Sequence, residues 1–258
     1  MTFIEMIEYM VKIDSISMEN AQEAINKIND LISQDNIDLH SWESSRFGSF
    51  GYHLLCMASK FGSIELVGTL IEQGVKVEHW GIAEPTQPIH RACIHGHAEI
   101  VAKLIQEKAD VNNKYITDTD GLNSQEVADK LPEMLAIKNG HINVLAVFIM
   151  QGTALHSSSN ISKVFNWAMK KQDFILSEKC LEQLQQKLAK HENKFNKAKR
   201  QLDAGYHDIE NDIQIEEYVH KQQHSMEKCT HLLSELTTKL NNAKSAYQAK
   251  NSNKMKMN

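Results

Sequence analysis

Residues 87–112 have the pattern of two short helices joined by a tight turn, and this pattern limits how the whole chain can fold. Pro88 suits the first turn of a helix, where its missing N–H has no intrahelical partner, and Gly96 allows a turn after that helix. A second helix follows with an apolar face at helical spacing, marked by Ile100, Val101, Leu104 and Ile105. A single pair of this size cannot bury its apolar face, so the pattern predicts neighbouring pairs on both sides.

Two neighbouring segments repeat the pattern around a glycine. Gly62 lies 34 residues before Gly96, and Gly140 lies 44 residues after it. The motif Pro-Ile-His-Arg-Ala at 88–92, with Gly-His at the turn, resembles the ankyrin-repeat family, in which units of about 33 residues carry Thr-Pro-Leu-His-x-Ala. Lys108 stands where that family usually has glycine. The resemblance implies an all-α ankyrin-repeat solenoid of about four units.

The chain divides into three predicted domains. Residues 1–46 are expected to form an N-terminal helical cap, a degenerate repeat that covers one end of the stack. The apolar face of its second helix comprises Ala21, Ala24, Ile25, Ile28, Leu31 and Ile32. Residues 47–182 form the repeats, with an insertion near 117–132 that is either a deformed repeat or a lengthened inner helix, and Pro132 should break or restart the helix there. Residues 183–258 form a coiled-coil helical hairpin and a basic tail.

The last predicted repeat and the hairpin differ in the period of their apolar residues. The fourth, degenerate unit has apolar positions at Val164, Phe165, Ala168, Phe174, Ile175, Cys180 and Leu181. Beyond it, two heptad seams predict a long antiparallel hairpin that turns near 203–207. The first seam comprises Leu181, Leu184, Leu188, His191, Phe195, Ala198 and Leu202. The second comprises Ile215, Val219, Gln222, Met226, Cys229, Leu233, Leu236, Leu240, Ala243 and Tyr247. The hairpin either closes on itself or mediates self-association through 181–247.

Charge is distributed unevenly along the 258 residues. The net charge is −5, but residues 1–160 carry 11 basic and 21 acidic side chains, whereas residues 161–258 carry 17 and 12. The acidic first part favours a basic protein partner over nucleic acid. No run of about 18 uncharged apolar residues occurs, so no membrane span is predicted. The first residues lack a basic region before an apolar core, so we expect no standard secretory signal peptide and a cytoplasmic location.

Histidine and cysteine cluster between residues 90 and 97, where His90, Cys93, His95 and His97 could suggest a metal site. The resemblance gives His90 and His97 another role, because the repeat consensus itself places histidine there for hydrogen bonding within the turn and loop. The four cysteines of the chain show no CxxC spacing, and most fall on apolar helix faces, which indicates free, buried thiols. We predict no metal, no cofactor and no catalytic residue.

Aromatic residues recur where the loops between repeats are expected to project: Trp42, Trp80 and Tyr115. In the ankyrin family these finger tips and the inner-helix concave face bind other proteins, and tryptophan and tyrosine dominate interface energies. The alternative is that the aromatic rings fold over to shield the repeat core. Exposed neighbours on the inner helices are predicted to be Lys60, Phe61, Arg91, Ile94, His95, Lys138 and Asn139.

The resemblance therefore implies a protein-protein interaction adaptor rather than an enzyme. The alternative is an enzyme in which the repeats dock a protein substrate and the C-terminal helices contribute catalysis. The many Ile, Asn and Lys residues, with few Pro and Gly, resemble the coding style of intracellular bacteria whose ankyrin proteins are delivered into host cells. On that resemblance the protein is a bacterial effector, translocated without a standard signal peptide, and its partner is a host protein.

Overall fold

A computed structural model describes residues 25–26, 28–30, 32, 38–40, 49–78, 87–112, 131–204 and 209–255. These residues are helical or lie in turns and contain no strand, and the predicted all-α fold class is confirmed. The chain forms two compact units, Met1–Gln151 and Gly152–Asn258. Helices of the first unit are α1 (Phe50–Phe61), α2 (Ile64–Glu72), α3 (Pro88–His95), α4 (Ala98–Gln106), α5 (Pro132–Lys138) and α6 (Ile142–Met150). Those of the second are α7 (Ser158–Lys171), α8 (Phe174–Asp203) and α9 (Ile209–Met255).

Between residues 50 and 150, the described part of the first unit contains a stack of three helix pairs. The inner helices α1, α3 and α5 pack in that order, and the outer helices α2, α4 and α6 pack beside them. Each inner helix has an alanine four residues before its turn glycine, and all three alanines, Ala58, Ala92 and Ala136, are fully buried. A methyl group at these positions lets the backbones of neighbouring helices approach closely. The predicted ankyrin-repeat stack is therefore present.

Glycine closes the turn after each inner helix of this stack. Gly62, Gly96 and Gly140 have φ of 83°, 79° and 78°, in the left-handed region that side chains with a Cβ disfavour. The N–H of Gly62 donates to the carbonyl of Ala58 at 3.0 Å, which satisfies one of the last carbonyls of α1. Lys108, in the place where glycine is usual, adopts the same conformation with φ 69°.

Part of the predicted cap and insertion lies outside the described residues. Within the cap, Ile25, Ile28 and Ile32 are buried, as the apolar face predicted. Pro132 occupies the first turn of α5, so the helix starts there and the prediction for this proline is confirmed. The rest of the insertion, up to residue 130, is outside the described ranges, so the choice between a deformed repeat and another arrangement stays open.

The second unit begins with one more helix pair, formed by α7 and α8. The hydroxyl of Ser157 caps α7 by accepting from the N–H of Ser159 at 3.2 Å, and the carboxylate of Asp173 caps α8 by accepting from the N–H of Leu176 at 3.0 Å. Gln172 connects the helices with φ 58°, where the earlier pairs have glycine. Helix α8 runs from Phe174 to Asp203, through the predicted boundary at 182/183, and the two compact units divide at 151/152. The division into three domains stays a prediction.

Helices α8 and α9 pack against each other along the predicted seams. Their contacts run in opposite directions: His191 meets Gln222, whereas Phe174 near the start of α8 meets Tyr247 near the end of α9. Within the seams, the fully or nearly fully buried residues are Leu181, Leu184, Ala198, Gln222, Cys229, Leu236 and Leu240. Helix α8 ends at Asp203 and α9 begins at Ile209, which agrees with the predicted turn. The helices are thus antiparallel, and the coiled-coil geometry stays a prediction.

One apolar position of the fourth repeat was assigned wrongly. Ile175 is 65% exposed, whereas Val164, Phe165, Ala168 and Cys180 are buried as predicted. Ile175 lies in the first turn of α8, directly after the first helical residue, Phe174. Phe174 itself is half-buried and packs edge-on against the ring of Tyr247, with 5.5 Å between ring centroids.

Candidate functional site

The last turns of the inner helices form one surface of the first unit, which we call the inner-helix surface. It comprises Lys60, Phe61, Arg91, Ile94, His95, Lys138 and Asn139. Lys60, Ile94 and Lys138 each lie two residues before a turn glycine. Phe61, His95 and Asn139 each lie one residue before it. Because α1, α3 and α5 stack in register, equivalent positions of the three repeats lie side by side. The structure therefore brings these predicted site residues together.

Exposure on this surface increases toward the last repeat. Lys60, Phe61, Arg91 and Ile94 are half-buried, whereas His95, Lys138 and Asn139 are exposed. The ammonium group of Lys60 lies over the ring of Phe61, 5.3 Å from its centroid, a distance that allows a cation–π interaction. The surface thus combines cationic groups with apolar patches of modest size.

The charged groups that act on His95 give a positive local field at this residue. Partial burial lowers the pKa of His95 below its usual 6.5, and the charges of His97, Lys60, Arg91 and His141 lower it further. The rings of His95 and His97 are stacked, with centroids 6.2 Å apart. Burial and a positive field both disfavour a second proton on an imidazole, and burial makes the larger contribution to the shift.

Few carboxylates oppose this field on the described inner helices. The sequences of α1 and α3 contain no Asp or Glu, and α5 contains only Glu133, which is 4% exposed. Their formally charged, solvent-accessible groups are Lys60, Arg91 and Lys138. The sequence favoured a basic partner because residues 1–160 are acidic overall, and that preference stays a prediction.

Histidines at the start of the outer helices connect each repeat to the one before it. The Nε2 atom of His97 lies 2.9 Å from the carbonyl oxygen of Lys60, and Nε2 of His141 lies 2.9 Å from that of Ile94. The side-chain amide of Asn143 donates to the carbonyl of Gly96 at 3.1 Å. These bonds satisfy carbonyls at the ends of α1 and α3, which have no partner within the helix.

The prediction for His97 was therefore right about hydrogen bonding but wrong about where the bond goes. The histidine ring reaches the preceding repeat instead of bonding within its own turn. Such a histidine ring also occupies the space beside the turn glycine of the preceding repeat. In the case of His141, a Cβ added at Gly96 would lie 2.5 Å from Nδ1 of the ring. The repeated Gly-His pair at 96–97 and 140–141 was the available sequence signal.

Comparison with known families agrees with this geometry. The family model described as Ankyrin repeats (3 copies) matches residues 18–115 and residues 54–159, which together cover more than half of the chain. The chain belongs to the ankyrin-repeat family. No curated protein matches it. Ankyrin repeats indicate a role in protein-protein interaction, and the proteins that carry them are typically non-enzymatic interaction modules.

The ankyrin match ends at residue 159, so most of α7 and all of α8 and α9 lie beyond it. In the described part of the chain, none of the helices combines the length and the apolar character that crossing a bilayer requires.

The predicted finger residues Trp42, Trp80 and Tyr115 lie outside the described residues. Next to the second and third loops, the backbone N–H of Asp110 donates to the carboxylate of Glu78, which links two successive repeats.

Cys93, Cys180 and His90 have structural roles. Cys93 is fully buried, and burial raises the pKa of its thiol far above the ordinary value, so the thiolate is disfavoured. Burial, with a smaller effect of Asp173, raises the pKa of Cys180 to about 12. His90 accepts from the N–H of Gln87 at 3.3 Å and so closes a capping box at the start of α3. Among the described residues, no three His, Cys, Asp or Glu side chains are grouped to hold a metal ion.

Proposed function

We propose that the protein is an interaction adaptor whose partner protein lies across the inner-helix surface and contacts the finger aromatics. The observation that carries this proposal is that Lys60, His95 and Lys138 lie in the last turns of three consecutive inner helices. A partner on this surface can contact three repeats at once, which multiplies weak contacts into one interface. Arg91 adds a planar guanidinium group of the kind that is enriched in interface hot spots.

The finger aromatics would supply a second part of the interface. Trp42, Trp80 and Tyr115 recur at corresponding positions of successive loops. Large aromatic side chains contribute much contact area at a small conformational cost, which suits an anchor beside a charged surface. Their contribution is separable from that of the inner-helix surface by mutation.

We also propose that the partner is a host protein and that the chain acts as an effector of an intracellular bacterium, working in the host cytoplasm. The support is the resemblance of the Ile-, Asn- and Lys-rich composition to the ankyrin proteins of such bacteria. The long helices α8 and α9 would then set the oligomeric state through a coiled coil, or provide a second contact.

The proposal is tested by affinity capture from eukaryotic and bacterial lysates, followed by mass spectrometry and by calorimetry with the purified partner. Three variants accompany the wild type: Trp42→Ala/Trp80→Ala for the fingers, His95→Ala/Lys138→Ala for the inner-helix surface, and a control on the outer helices. The control is Glu65→Ala/Glu99→Ala, which removes exposed side chains from α2 and α4.

The expected result is a partner that binds wild type and control with the same affinity and is lost from both other variants. Circular dichroism checks that helicity is unchanged. A partner that all four proteins bind equally would show that binding uses another surface. Incubating the captured partner with the purified chain and measuring its mass tests the enzyme alternative, which requires a covalent change.

A further inference from the structure

We propose that His220 and His224 of α9 form a two-ligand site for a divalent transition-metal ion of the zinc and copper class. The pair lies in the second unit, beyond the end of the ankyrin match, so the inference is independent of the proposed function. It departs from the expectation of a metal-free chain, which rested on the histidines between residues 90 and 97.

The first support is the spacing of the two histidines. They are the one pair of histidines in the sequence that stand four residues apart. Both belong to α9, which is helical from Ile209 to Met255. A step of four residues turns about 40° and rises about 6 Å, so both side chains leave the same face of the helix. Their Cβ atoms are then about 5–6 Å apart, and one nitrogen of each ring can reach the same ion.

The second support is the orientation of α9 at this level. Gln222 lies midway between the two histidines, is 6% exposed, and accepts at its amide oxygen a contact of 2.8 Å from Nδ1 of His191 in α8. A step of two residues turns about 200°, so a face that is opposite to Gln222 points away from the seam. His220 and His224 are both exposed. An ion in the solvent can therefore reach both rings while the seam stays closed.

The third support is the chemistry of the donors. Two imidazole nitrogens favour copper, nickel and zinc ions, whereas magnesium and calcium prefer oxygen ligands. Within the described residues, no three His, Cys, Asp or Glu side chains are grouped to hold a metal, so the chain supplies two ligands and water completes the coordination.

Charge does not explain such a site, because carboxylates and ammonium groups both lie within about one turn of the pair. These residues are Glu216, Glu217, Lys221, Glu227 and Lys228. The affinity must come from coordination bonds to the two rings, which makes the site sensitive to the loss of either histidine.

The test uses the full chain without a histidine tag, titrated with zinc chloride, copper chloride or magnesium chloride. Calorimetry measures affinity, and NMR follows the imidazole signals during the zinc titration. The variants His220→Gln and His224→Gln each leave one ligand. The matched control is His231→Gln, which removes a third exposed histidine of α9 that stands seven residues beyond His224, about 10 Å along the helix.

We expect zinc to shift the signals of His220 and His224 together. Each of their variants should lose about tenfold or more in zinc affinity, because the second ligand of a linked pair binds at high effective concentration. His231→Gln should bind zinc as the wild type does. Copper should bind more tightly than zinc, and magnesium should leave the signals unchanged. Circular dichroism checks that the variants, all at exposed positions, keep their helicity.

Several outcomes would overturn the inference. An equal loss of affinity in His231→Gln would show general binding to surface histidines. Unchanged zinc binding at His224 in the His220→Gln variant would show that the two rings bind separately. Zinc that shifts the stacked rings of His95 and His97 first would place the site in the repeats. The same conclusion against the pair follows if zinc shifts neither ring up to about 1 mM, where a site of millimolar affinity is half filled.

Discussion

The two compact units are both helical, but they hold their helices together by different means. In the repeats, helices of seven to twelve residues are fixed by turns with positive φ and by histidine rings that bond to backbone carbonyls of the preceding repeat. In the second unit, α8 and α9 are 30 and 47 residues long, and these two helices contact each other mainly through side chains. The repeats therefore depend on backbone geometry at a few positions, whereas the long helices depend on a continuous seam.

The polar groups buried in the two units show the same difference. In the repeats, the ring of His141 meets the carbonyl of Ile94. In the seam, Nδ1 of His191 lies 2.8 Å from the amide oxygen of Gln222, so one side chain bonds another. A side-chain pair in a seam can specify which residues face each other along two long helices, because any slip separates the two partners. Backbone bonds in the repeats fix the spacing between units instead.

The largest loss of stability should come from truncating a buried side chain in the seam between α8 and α9. Leu236 in α9 is fully buried, so Leu236→Ala should lower the free energy of unfolding by about 3 kcal/mol, through lost burial and the cavity left behind. Leu104→Ala in α4, which is equally buried, should cost the same if both cores are packed alike. Urea unfolding measures both. The control Ile213→Ala removes a side chain that is 53% exposed and should change stability by less than about 0.5 kcal/mol.

A loss in unfolding free energy below about 1 kcal/mol for Leu236→Ala, together with about 3 kcal/mol for Leu104→Ala, would contradict the expectation that both cores are packed alike. It would show that the seam is loosely packed and that the repeats alone have a close-packed core.

The next largest loss of stability should come from substituting the turn glycines of the repeats. Gly96→Ala should cost about 3 kcal/mol, because it combines left-handed strain with a clash against the ring of His141. Gly140→Ala has nearly the same φ but nothing within 4 Å of the added Cβ, so it should cost only about 1 kcal/mol. Thermal and urea unfolding give the difference.

Gly68 provides a control for this pair, since it lies inside α2 with open space around it. Gly68→Ala should stabilise the protein by about 0.5–1 kcal/mol through higher helix propensity. Equal costs at Gly96 and Gly140 would contradict the proposed contact between glycine and histidine.

A smaller loss of stability should come from removing the part-buried polar contacts. In the repeats a histidine contacts a backbone carbonyl, and in the seam one side chain contacts another. His141→Ala should cost about 1–2 kcal/mol, because it leaves the carbonyl of Ile94 without its partner. A double-mutant cycle on His191→Ala and Gln222→Ala should give a coupling of about 1 kcal/mol. His95→Ala serves as an exposed control and should change stability by less than about 0.5 kcal/mol. A coupling near zero would mean that the pair does not fix the seam.

The smallest effect concerns the two left-handed positions without glycine among the described residues, Lys108 in the first unit and Gln172 in the second. Lys108→Gly and Gln172→Gly should each stabilise the protein by about 0.5–1 kcal/mol, because relief of left-handed strain exceeds the added entropy of the unfolded chain. Lys103→Gly, inside α4, should instead destabilise by about 1 kcal/mol. Differential scanning calorimetry resolves these shifts. Destabilisation by Lys108→Gly would indicate that its side chain makes contacts that outweigh the strain.

The glycine positions and the apolar seams could be predicted from the sequence because both are local. Gly62, Gly96 and Gly140 are marked by spacing, and the buried residues of α9 follow a heptad. The continuity of α8 could not be predicted in the same way, because Leu181 and Leu184 satisfy the helical period of a repeat and the heptad of a seam equally well. No proline or glycine stands nearby to end one helix and begin another.

For the candidate site, the sequence identified the residues but not the burial and spacing of their charged groups. Lys60, Arg91 and Lys138 were recognisable from the repeat register. Which charged groups reach the solvent and act on one another depends on the burial of Glu133 and on the distances between side chains of different helices. Neither quantity is visible in a count of charges along the chain.

The bond between His141 and the carbonyl of Ile94 also bears on how proteins of this kind change length. The bond joins the turn of one repeat to the turn of the next and makes no use of the residues between their helices. The interval from Gly96 to Gly140 is 44 residues against 34 in the preceding repeat, yet the same histidine contact is made in both. Segments can therefore be gained or lost between repeats during evolution without disturbing the joint, provided that each new unit brings its own glycine and histidine.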